Sequence, residues 1–371
     1  MSRLDELIAE LCPDGVEYVR LAECCDIEDN KRKPVKSSLR IPGDTPYYGA
    51  NNIQDYVEGY THYGQYVLIA EDGSASLENY SVQYVDGFFW ANNHVHVIKG
   101  RKDLDTKFLY YYLTSFNFIP FLTGGTRAKL NKGNMEEIPI PIPPLPVQQE
   151  IVRILDNFTE LTAELTAELT ARRKQYEYYR DFLLTFGDEV EWTTLGEVAI
   201  NLDSKRKPVA KGKRKAGEYP YYGASGIVDY VDDYIFDGDY LLVSEDGANL
   251  VARVTPIAFS ASGKIWVNNH AHVLEFETYE DRKFIEYYLN MIDLSRFLST
   301  AAQPKLTQEN LNKIPVPAPS FEEKERIVAI LDRFDALCND LTSGIPAEIE
   351  ARQKQYEYYR DKLLSFKEVT A

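Results

Sequence analysis

The second half of this sequence repeats the first. The segment Lys-Arg-Lys-Pro-Val at residues 31–35 returns 174 positions later, and so does Pro-Tyr-Tyr-Gly-Ala at residues 46–50. The offset becomes 176 positions for Asn-Asn-His-x-His at residues 92–96, and 180 positions for Lys-Gln-Tyr-Glu-Tyr-Tyr-Arg-Asp at residues 174–181. Two copies are too few to stack as a solenoid. The repeat therefore predicts two similar folded units in one chain, related by a pseudo-two-fold axis.

Composition limits the class of protein. A chain of 371 residues has room for two domains of ordinary size. Its 27 Tyr and 17 Phe exclude a disordered chain, and no apolar run reaches the roughly 18 residues of a membrane span. The four cysteines form no Cys-x-x-Cys pair, and the N-terminus lacks the layout of a signal peptide. These features predict a reduced, cytoplasmic protein.

Each copy begins with short strands and ends with a long helix. Residues 66–70 form an apolar run before a Glu-Asp-Gly turn, which is typical of a strand. After the proline-rich residues 138–146, apolar side chains recur every three or four residues from Ile151 to Phe186, as in a coiled-coil seam. In the second copy the seam contains one extra step of four near Gly344 and Pro346, which predicts a kink there.

The two long helices are predicted to pair with each other and to run antiparallel. The alternative is that each helix covers only its own domain, but a stripe of about 35 residues is longer than one small domain can cover. The predicted helix-pairing residues are Leu155, Phe158, Leu165, Leu169, Tyr176 and Tyr179 in the first copy, and Leu331, Phe334, Leu341, Tyr356 and Tyr359 in the second.

Two basic runs interrupt an acidic chain. The net charge of −17 argues against nucleic acid as a partner, but residues 31–40 hold five Lys or Arg and residues 205–215 hold seven, without one acid. Both runs precede the Pro-Tyr-Tyr-Gly-Ala segment, so we interpret them as DNA-contacting loops rather than solvated loops. The predicted DNA-binding residues are Lys31, Arg32, Lys33, Tyr47, Tyr48, Arg127 and Lys129, and Lys205, Arg206, Lys207, Lys213, Arg214, Lys215, Tyr221, Tyr222 and Lys305.

Two His-x-His pairs have the spacing of metal ligands on one face of a strand. They are His94 with His96 and His270 with His272, and the second pair is followed by Glu275 and Glu277, as in a cupin. The first copy has Val, Ile and Lys at residues 97–99 instead, so no metal site is predicted. The sequence also lacks a phosphate-binding Walker A loop and a Gly-x-Ser-x-Gly nucleophile motif, and no catalytic residue is predicted.

The whole layout resembles the DNA specificity subunit of type I restriction-modification systems. The resemblance rests on LCPDGVEYVRL and its echo EWTTLGEV, on IPIPIPPLPVQQEIVRILD and its looser copy IPVPAPSFEEKERIVAILD, and on two Thr-Ala-Glu-Leu units at residues 162–169. It implies an α+β chain in which two similar globular target recognition domains are joined by two long antiparallel coiled-coil helices. The implied segments are residues 1–145 (with an N-terminal helix at 2–12), 146–187, 188–320 and 321–367.

The resemblance also implies a function without catalysis. The chain would read an asymmetric, bipartite site in double-stranded DNA and bind two modification subunits that carry S-adenosylmethionine and methylate adenine. Restriction subunits with ATP and Mg²⁺ would join for cleavage, and no cofactor is expected on this chain. Two other classes remain as alternatives: a tandem cupin-like metal-binding protein, and a coiled-coil scaffold that does not contact DNA.

Overall fold

The computed structural model describes residues 3–124, 128–299 and 304–369. The chain divides into two compact units, of which the first contains residues 1–166 and 348–371 and the second contains residues 167–347. Within the described ranges, none of the helices combines the length and the apolar character that crossing a bilayer needs.

The first unit is built around a six-stranded sheet. Its helices are α1 (Arg3–Leu11), α2 (Leu21–Cys24), α3 (Thr106–Ser115), α4 (Lys132–Glu136) and the start of α5 (Leu145–Leu184). Its strands are β1 (Tyr18–Arg20), β2 (Cys25–Ile27), β3 (Pro42–Gly49), β4 (Asn52–Val57), β5 (His62–Ala70), β6 (Val82–Ala91), β7 (Val95–Gly100) and β8 (Pro139–Pro141). The sheet order is β2-β7-β5-β6-β3-β4, and β1 pairs separately with β8.

The second unit repeats this architecture. Its helices are the end of α5, then α6 (Leu195–Val198), α7 (Asn249–Ala252), α8 (Tyr279–Met291), α9 (Gln308–Asn312) and α10 (Phe321–Asn339); α11 (Ile345–Leu363) follows and lies mostly in the first unit. Its strands are β9 (Trp192–Thr194), β10 (Ile200–Asn201), β11 (Ala216–Gly223), β12 (Gly226–Val231), β13 (Phe236–Ser244), β14 (Ala258–Val267), β15 (Ala271–Glu275) and β16 (Pro315–Pro317). The order β10-β15-β13-β14-β11-β12 matches the first sheet strand for strand, so the predicted α+β class and internal repeat are confirmed.

Strand β5 shows why these segments fold as buried strands. Its side chains alternate between two apolar clusters: Val67 and Ile69 belong to the cluster that contains α3, whereas Tyr66 and Leu68 pack with Phe89 on the other face. All of these residues except Tyr66 are fully buried, and Tyr66 is 5% exposed. The sheet is therefore covered on both faces, which fits the nearly continuous apolar sequence of this strand.

In the first unit, α5 and α11 pair as antiparallel helices. The ring of Phe158 stacks on that of Tyr359, with 5.5 Å between the ring centroids. Leu155, earlier in α5, shares the core of this unit with Leu364, just after α11. Tyr356 is half-buried against the same core. The first half of α5 thus packs against the second half of α11, as expected for antiparallel helices.

The second unit contains the matching pair, α5 with α10. Phe334 lies 6.3 Å from Tyr176 and 5.6 Å from Tyr179 between ring centroids. Leu183, one to two turns later in α5, shares a buried core with Leu331 in α10. Leu165 and Leu169, between the two packed ends of α5, are half-buried.

The prediction of one kinked helix over residues 321–367 is wrong. The structure ends α10 at Asn339 and begins α11 at Ile345. The Asp340 carboxylate accepts hydrogen bonds from the backbone N–H of Thr342 (2.7 Å) and from its hydroxyl (2.6 Å), which stabilises a turn. Leu341, a predicted helix-pairing residue, lies in this turn and is 74% exposed, because the turn takes it out of the heptad register.

The two termini of the chain meet in the first unit. Helix α1 places Leu4, Leu7 and Ile8 in the same core as Phe366, which follows α11. The backbone N–H of Val16 donates to the carbonyl of Lys367 (2.9 Å), and Val369 donates back to Val16 (3.0 Å). The C-terminal segment packs Phe366 against Phe108 of α3, as the chain after α5 packs Phe186 against Phe284 of α8 in the second unit.

Candidate nucleic-acid interface

In the first unit the basic run is attached to the sheet by a cluster of charged side chains, which we call the first latch: Asp29, Arg32, Glu71, His96 and Lys129. Arg32 donates to the Glu71 carboxylate (2.8 Å) and to the Val95 carbonyl (2.7 Å). His96 donates from Nδ1 to Asp29 (2.6 Å), and Lys129 lies 2.8 Å from Glu71. The latch joins the start of the basic run to the end of β5 and to β7.

The second unit contains the same cluster, the second latch: Asp203, Arg206, Glu245, His272 and Lys305. The Arg206 guanidinium lies 2.6 Å from Glu245, His272 Nδ1 lies 2.6 Å from Asp203, and Lys305 lies 2.8 Å from Glu245. This repetition of distances as well as residue types shows that the charged cluster is a fixed part of the fold.

The latch histidines are bound from both ring nitrogens by acceptors. His96 Nε2 lies 2.8 Å from the Leu130 carbonyl, and His272 Nε2 lies 2.8 Å from the Leu306 carbonyl. Burial tends to raise the pKa of the Asp29 and Asp203 carboxyls, but hydrogen bonds from the histidine and a backbone N–H, together with the nearby arginine, hold each pKa below its usual value. Both ring nitrogens of each latch histidine are therefore occupied by protein oxygen atoms.

The second latch is the only group of acids and histidines within the described ranges that has the spacing of a metal site. Its members for that purpose are Asp203, Glu245 and His272, whose ligand atoms lie within 4.8 Å of one another. However, both nitrogens of His272 face protein acceptors, and the Glu245 carboxylate is already bound by Arg206 and Lys305. A cation would have to displace two others, so this arrangement argues against the cupin-like alternative.

The latches change the role of several predicted DNA-binding residues. Arg32 and Arg206 are mostly buried in ion pairs, and the ammonium groups of Lys129 and Lys305 are held by Glu71 and Glu245. An arginine that is mostly buried in ion pairs with carboxylates is not available to neutralise a phosphate. We therefore reassign the two arginines from DNA contact to positioning of the basic loops. The two lysines belong to the same ion-pair clusters but are 45% exposed, so their contact with DNA stays a prediction.

Two of the predicted tyrosines are also internal. Tyr47 and Tyr221 are each 1% exposed, and each hydroxyl accepts from the backbone of its own basic loop, at Val35 (3.0 Å) and Val209 (2.8 Å). Their rings cannot stack on DNA while they are buried, so the expectation of ring contact is corrected for both. Tyr48 and Tyr222 are half-buried against Phe89 and Phe259.

A second arginine of each loop is used in the same way. Arg40 stacks over Tyr47 at 4.1 Å from the ring centroid and pairs with Asp55. The predicted residue Arg214 repeats this arrangement, at 4.2 Å from the Tyr221 centroid and 3.0 Å from Asp229. Arg214 is therefore also a residue that fixes the loop, because its charge and its planar face are both occupied by the protein.

The lysines of the basic loops remain on the surface. Lys33 and Lys36 in the first unit, and Lys205, Lys207, Lys211 and Lys213 in the second, are exposed and form no ion pair with the part of the chain that the structure describes. Lys31 differs because Glu28 binds it at 2.6 Å, and Lys215 lies 3.9 Å from Asp232. Arg127 lies outside the described residues. Lys36 and Lys211 were not among the predicted contacts, although both belong to the same basic runs.

We expect Arg206→Gln to destabilise the second unit by about 3 kcal/mol, because it removes the cation closest to the buried Glu245 and leaves the buried Asp203 with His272 alone as its ion-pair partner. Urea unfolding of the full chain measures this loss. The neighbouring variant Lys207→Gln is the matched control, since Lys207 is exposed and unpaired, and we expect a change within about 0.5 kcal/mol. Equal stability of the two variants would contradict the role given to the latch.

Known proteins resemble this chain along most of its length. A family model described as the type I restriction modification DNA specificity domain matches residues 13–172 and again residues 187–351. A putative type I restriction enzyme specificity subunit of Haemophilus influenzae is 45% identical over 377 residues, which cover 95% of this chain and 96% of the relative. The EcoR124I/EcoR124II specificity subunit of Escherichia coli is 37% identical over 292 residues, 70% of each chain.

The fold has a counterpart among solved structures. The crystal structure of the S subunit of a type I restriction-modification system from M. genitalium matches with a TM-score of 0.62 at 18% identity. The match covers 94% of this chain and 95% of that chain. At this identity the similarity supports the architecture, with its two units of like topology.

Proposed function

The chain belongs to the family of type I restriction-modification DNA specificity subunits, and from this membership we propose that it reads an asymmetric, bipartite site in double-stranded DNA, one half-site with each unit. The observation that carries the proposal is the pair of basic loops. Each is fixed by a latch of the same five residue types, and each leaves lysines exposed for phosphate contact. This geometry favours DNA binding over the alternative of a coiled-coil scaffold, because a scaffold that does not contact DNA would not account for two fixed loops with exposed lysines.

We also propose that the chain docks two modification subunits and does no chemistry itself. Its relatives are named specificity subunits, which agrees with the prediction of a non-catalytic chain. S-adenosylmethionine would then be bound by the modification subunits, and ATP and Mg²⁺ by restriction subunits of the full complex. Shared phosphate contacts also account for a DNA-binding chain with a net charge of −17, because the partners supply positive charge around the DNA.

Methylome sequencing tests this proposal. A host that carries the chain together with its cognate modification subunit should acquire adenine methylation at one asymmetric motif made of two half-sites and a nonspecific spacer. The matched control is the same host with the modification subunit alone, which should show no such motif. A motif that is independent of this chain would contradict its role as the specificity subunit.

The loop lysines make a quantitative prediction for DNA binding by the assembled methyltransferase. Changing Lys205, Lys207, Lys211 and Lys213 to Gln should weaken binding most at low salt. It should also make the negative slope of log K against log salt shallower by about 0.9 for each phosphate that is no longer neutralised. Titrations at several salt concentrations measure the slope. The control changes the same four residues to Arg, which keeps the charge and should keep the slope. An unchanged slope in the Gln variant would mean that the loop is merely solvated.

A further inference from the structure

The two sheets have equivalent strands in equivalent order, but one connection between these strands differs in length. Strand β5 joins β6 through the 11 residues 71–81, whereas β13 joins β14 through the 13 residues 245–257. Both connections begin with Glu-Asp-Gly. After that turn one continues Ser-Ala-Ser-Leu-Glu-Asn-Tyr-Ser and the other Ala-Asn-Leu-Val-Ala-Arg-Val-Thr-Pro-Ile. We call residues 74–81 the first variable loop and residues 248–257 the second variable loop.

Each variable loop leaves directly from its latch. Glu71 and Glu245, which begin the two connections, are the carboxylates that bind Arg32 and Arg206 of the basic loops. The next residue, Asp72 in the first unit, holds the exposed His94 at 2.6 Å. Ser74 and Leu77 of the first variable loop line a surface cavity of about 670 Å³ together with His94, Asp72 and Lys129. Each latch therefore joins the start of a variable loop to the basic loop whose lysines we assign to phosphate contact.

The first variable loop has a fixed conformation. The Ser74 hydroxyl donates to the Ser76 carbonyl (2.7 Å) and accepts from the backbone of Ser81 (3.1 Å). The Ser76 hydroxyl accepts from the backbone of Asn79 (3.0 Å). Tyr80 is buried and donates its hydroxyl to the Ala70 carbonyl (3.0 Å), which anchors the end of the loop.

The second variable loop is fixed by a different set of contacts. Its short helix α7 buries Leu250, and the Asn249 side chain exchanges hydrogen bonds with the backbone of Thr255 (2.9 and 3.1 Å). Arg253 donates to the carbonyls of Leu289 (3.2 Å) and Ile292 (3.1 Å) at the end of α8. Two loops of unlike sequence are thus both preorganised, which is what side-chain recognition needs.

The two loops expose different chemistry. Leu77 is 45% exposed, and Glu78 and Asn79 are exposed beside it. The second loop instead exposes Val251 and Val254, which are 60% and 83% exposed. In the major groove an amide such as that of Asn79 suits adenine, whereas apolar methyl groups suit the methyl group of thymine.

We propose that the variable loops are the elements that decide which base pairs each unit reads, while the shared latch and basic loops set the position on the phosphate backbone. This inference rests on the proposed function and deepens it. It follows the division of labour between contacts that position a protein on DNA and contacts that specify sequence. Both units share the contacts that position the protein on the phosphate backbone. We therefore assign the reading of sequence to the neighbouring variable loop, in which the two units differ.

A loop exchange tests the inference in the full chain with its cognate modification subunit. The variant has residues 74–81 replaced by the sequence of residues 248–257. We expect methylome sequencing to show a motif in which the first half-site has taken on the sequence read by the second unit, with the other half-site unchanged. Full methylation at the original motif would overturn the inference.

Point variants test the same inference without altering the loop backbone. Asn79→Ala and Val254→Ala each remove one exposed side chain, and each should lower discrimination between cognate and substituted bases about tenfold, only in the half-site of its own unit. Methylation rates on duplexes with single base changes measure this. Unchanged discrimination in both variants would overturn the inference even if the exchange variant is inactive.

A control addresses another surface on which the units differ. Tyr63 and Phe88 lie with ring centroids 4.3 Å apart at the end of the β5–β6 pair away from the loop, where the second unit has Asp237 and Lys264. The variant Tyr63→Asp with Phe88→Lys should leave the motif unchanged, and a changed first half-site would transfer the reading role to this surface. If the unaltered chain gives no bipartite motif, the proposed function itself fails, so the two failures are distinguishable.

Discussion

Replacing residues 188–320 by the corresponding segment of a related specificity subunit is expected to change one half of the methylated motif completely and to leave the other half as it was. The expected effect is large, because each wrong base pair costs about 1–3 kcal/mol and a half-site contains several. Methylome sequencing of a host that carries the exchanged subunit and the cognate modification subunit measures it.

The bounds of this exchange suit the structure of the second unit. The segment begins after α5 ends at Leu184 and stops at Ser320, the N-cap of α10. It contains the complete six-stranded sheet and both strands of the small β9–β16 sheet, so no strand pair is divided. The exchanged part meets retained helix residues in one core, where Leu195 and Val316 pack with Ile327 and Leu331.

Those core positions define the control. A second exchange should carry residues 188–320 together with the donor's residues at positions 327, 328 and 331, so that the packing against α10 is native on both sides. It should give the same new half-site as the simple exchange, with equal or higher activity. Changes in both halves of the motif would contradict separate reading by the two units.

The sequence was sufficient for the repeat and for the class of fold, because matching segments that recur in the same order must occupy equivalent places. It was insufficient within the basic runs. Arg32 and Lys33 are neighbours of the same charge, but only Arg32 has a carboxylate to bind, and that half-buried carboxylate, Glu71, lies 39 residues away. A local pattern of charges does not show which of them the fold neutralises.

Two further residues show the same limit. The spacing of His94 and His96 on a strand is compatible with a metal site, yet both ring nitrogens of His96 face protein acceptors, the Asp29 carboxylate and the Leu130 carbonyl. Leu341 continues the apolar heptad, but the chain has already turned at Asp340. A Cβ on Gly344 would lie 2.6 Å from the Ala336 carbonyl, so the close approach at this turn requires glycine. Here the Asp-Leu-Thr-Ser-Gly sequence was the signal of a turn, and the heptad pattern obscured it.

Inserting one more Thr-Ala-Glu-Leu unit after Leu169 is expected to lengthen the nonspecific spacer of the motif by one base pair and to leave both half-sites unchanged. Helix α5 is continuous here: Phe158 packs within the first unit and Tyr176 within the second. Four extra residues move these two packing points about 6 Å farther apart along the helix and rotate them by about 40°. One base pair of B-DNA advances by about 3.4 Å and turns by about 34°.

The break between α10 and α11 allows a sharper design. Because the second connection between the units turns at residues 340–344, an insertion in α5 alone forces this turn to stretch. A second variant should therefore add four residues after the exposed Leu341 as well. We expect it to give the same longer spacer with higher methylation activity. The control rewrites residues 166–169 as Glu-Ala-Ala-Leu without changing the length, and its spacer should equal that of the unaltered chain.

The expected number of added base pairs follows from the rotation of the helix by about 40°. The lengthening of about 6 Å would by itself match nearly two base pairs. A reading element that is displaced in angle around the DNA misses its groove, whereas a few ångströms along the axis are absorbed by bending the DNA at a modest cost. A spacer longer by two base pairs would show that distance matters more than angle. An unchanged spacer at full activity in both insertion variants would show that α5 does not set the separation of the half-sites.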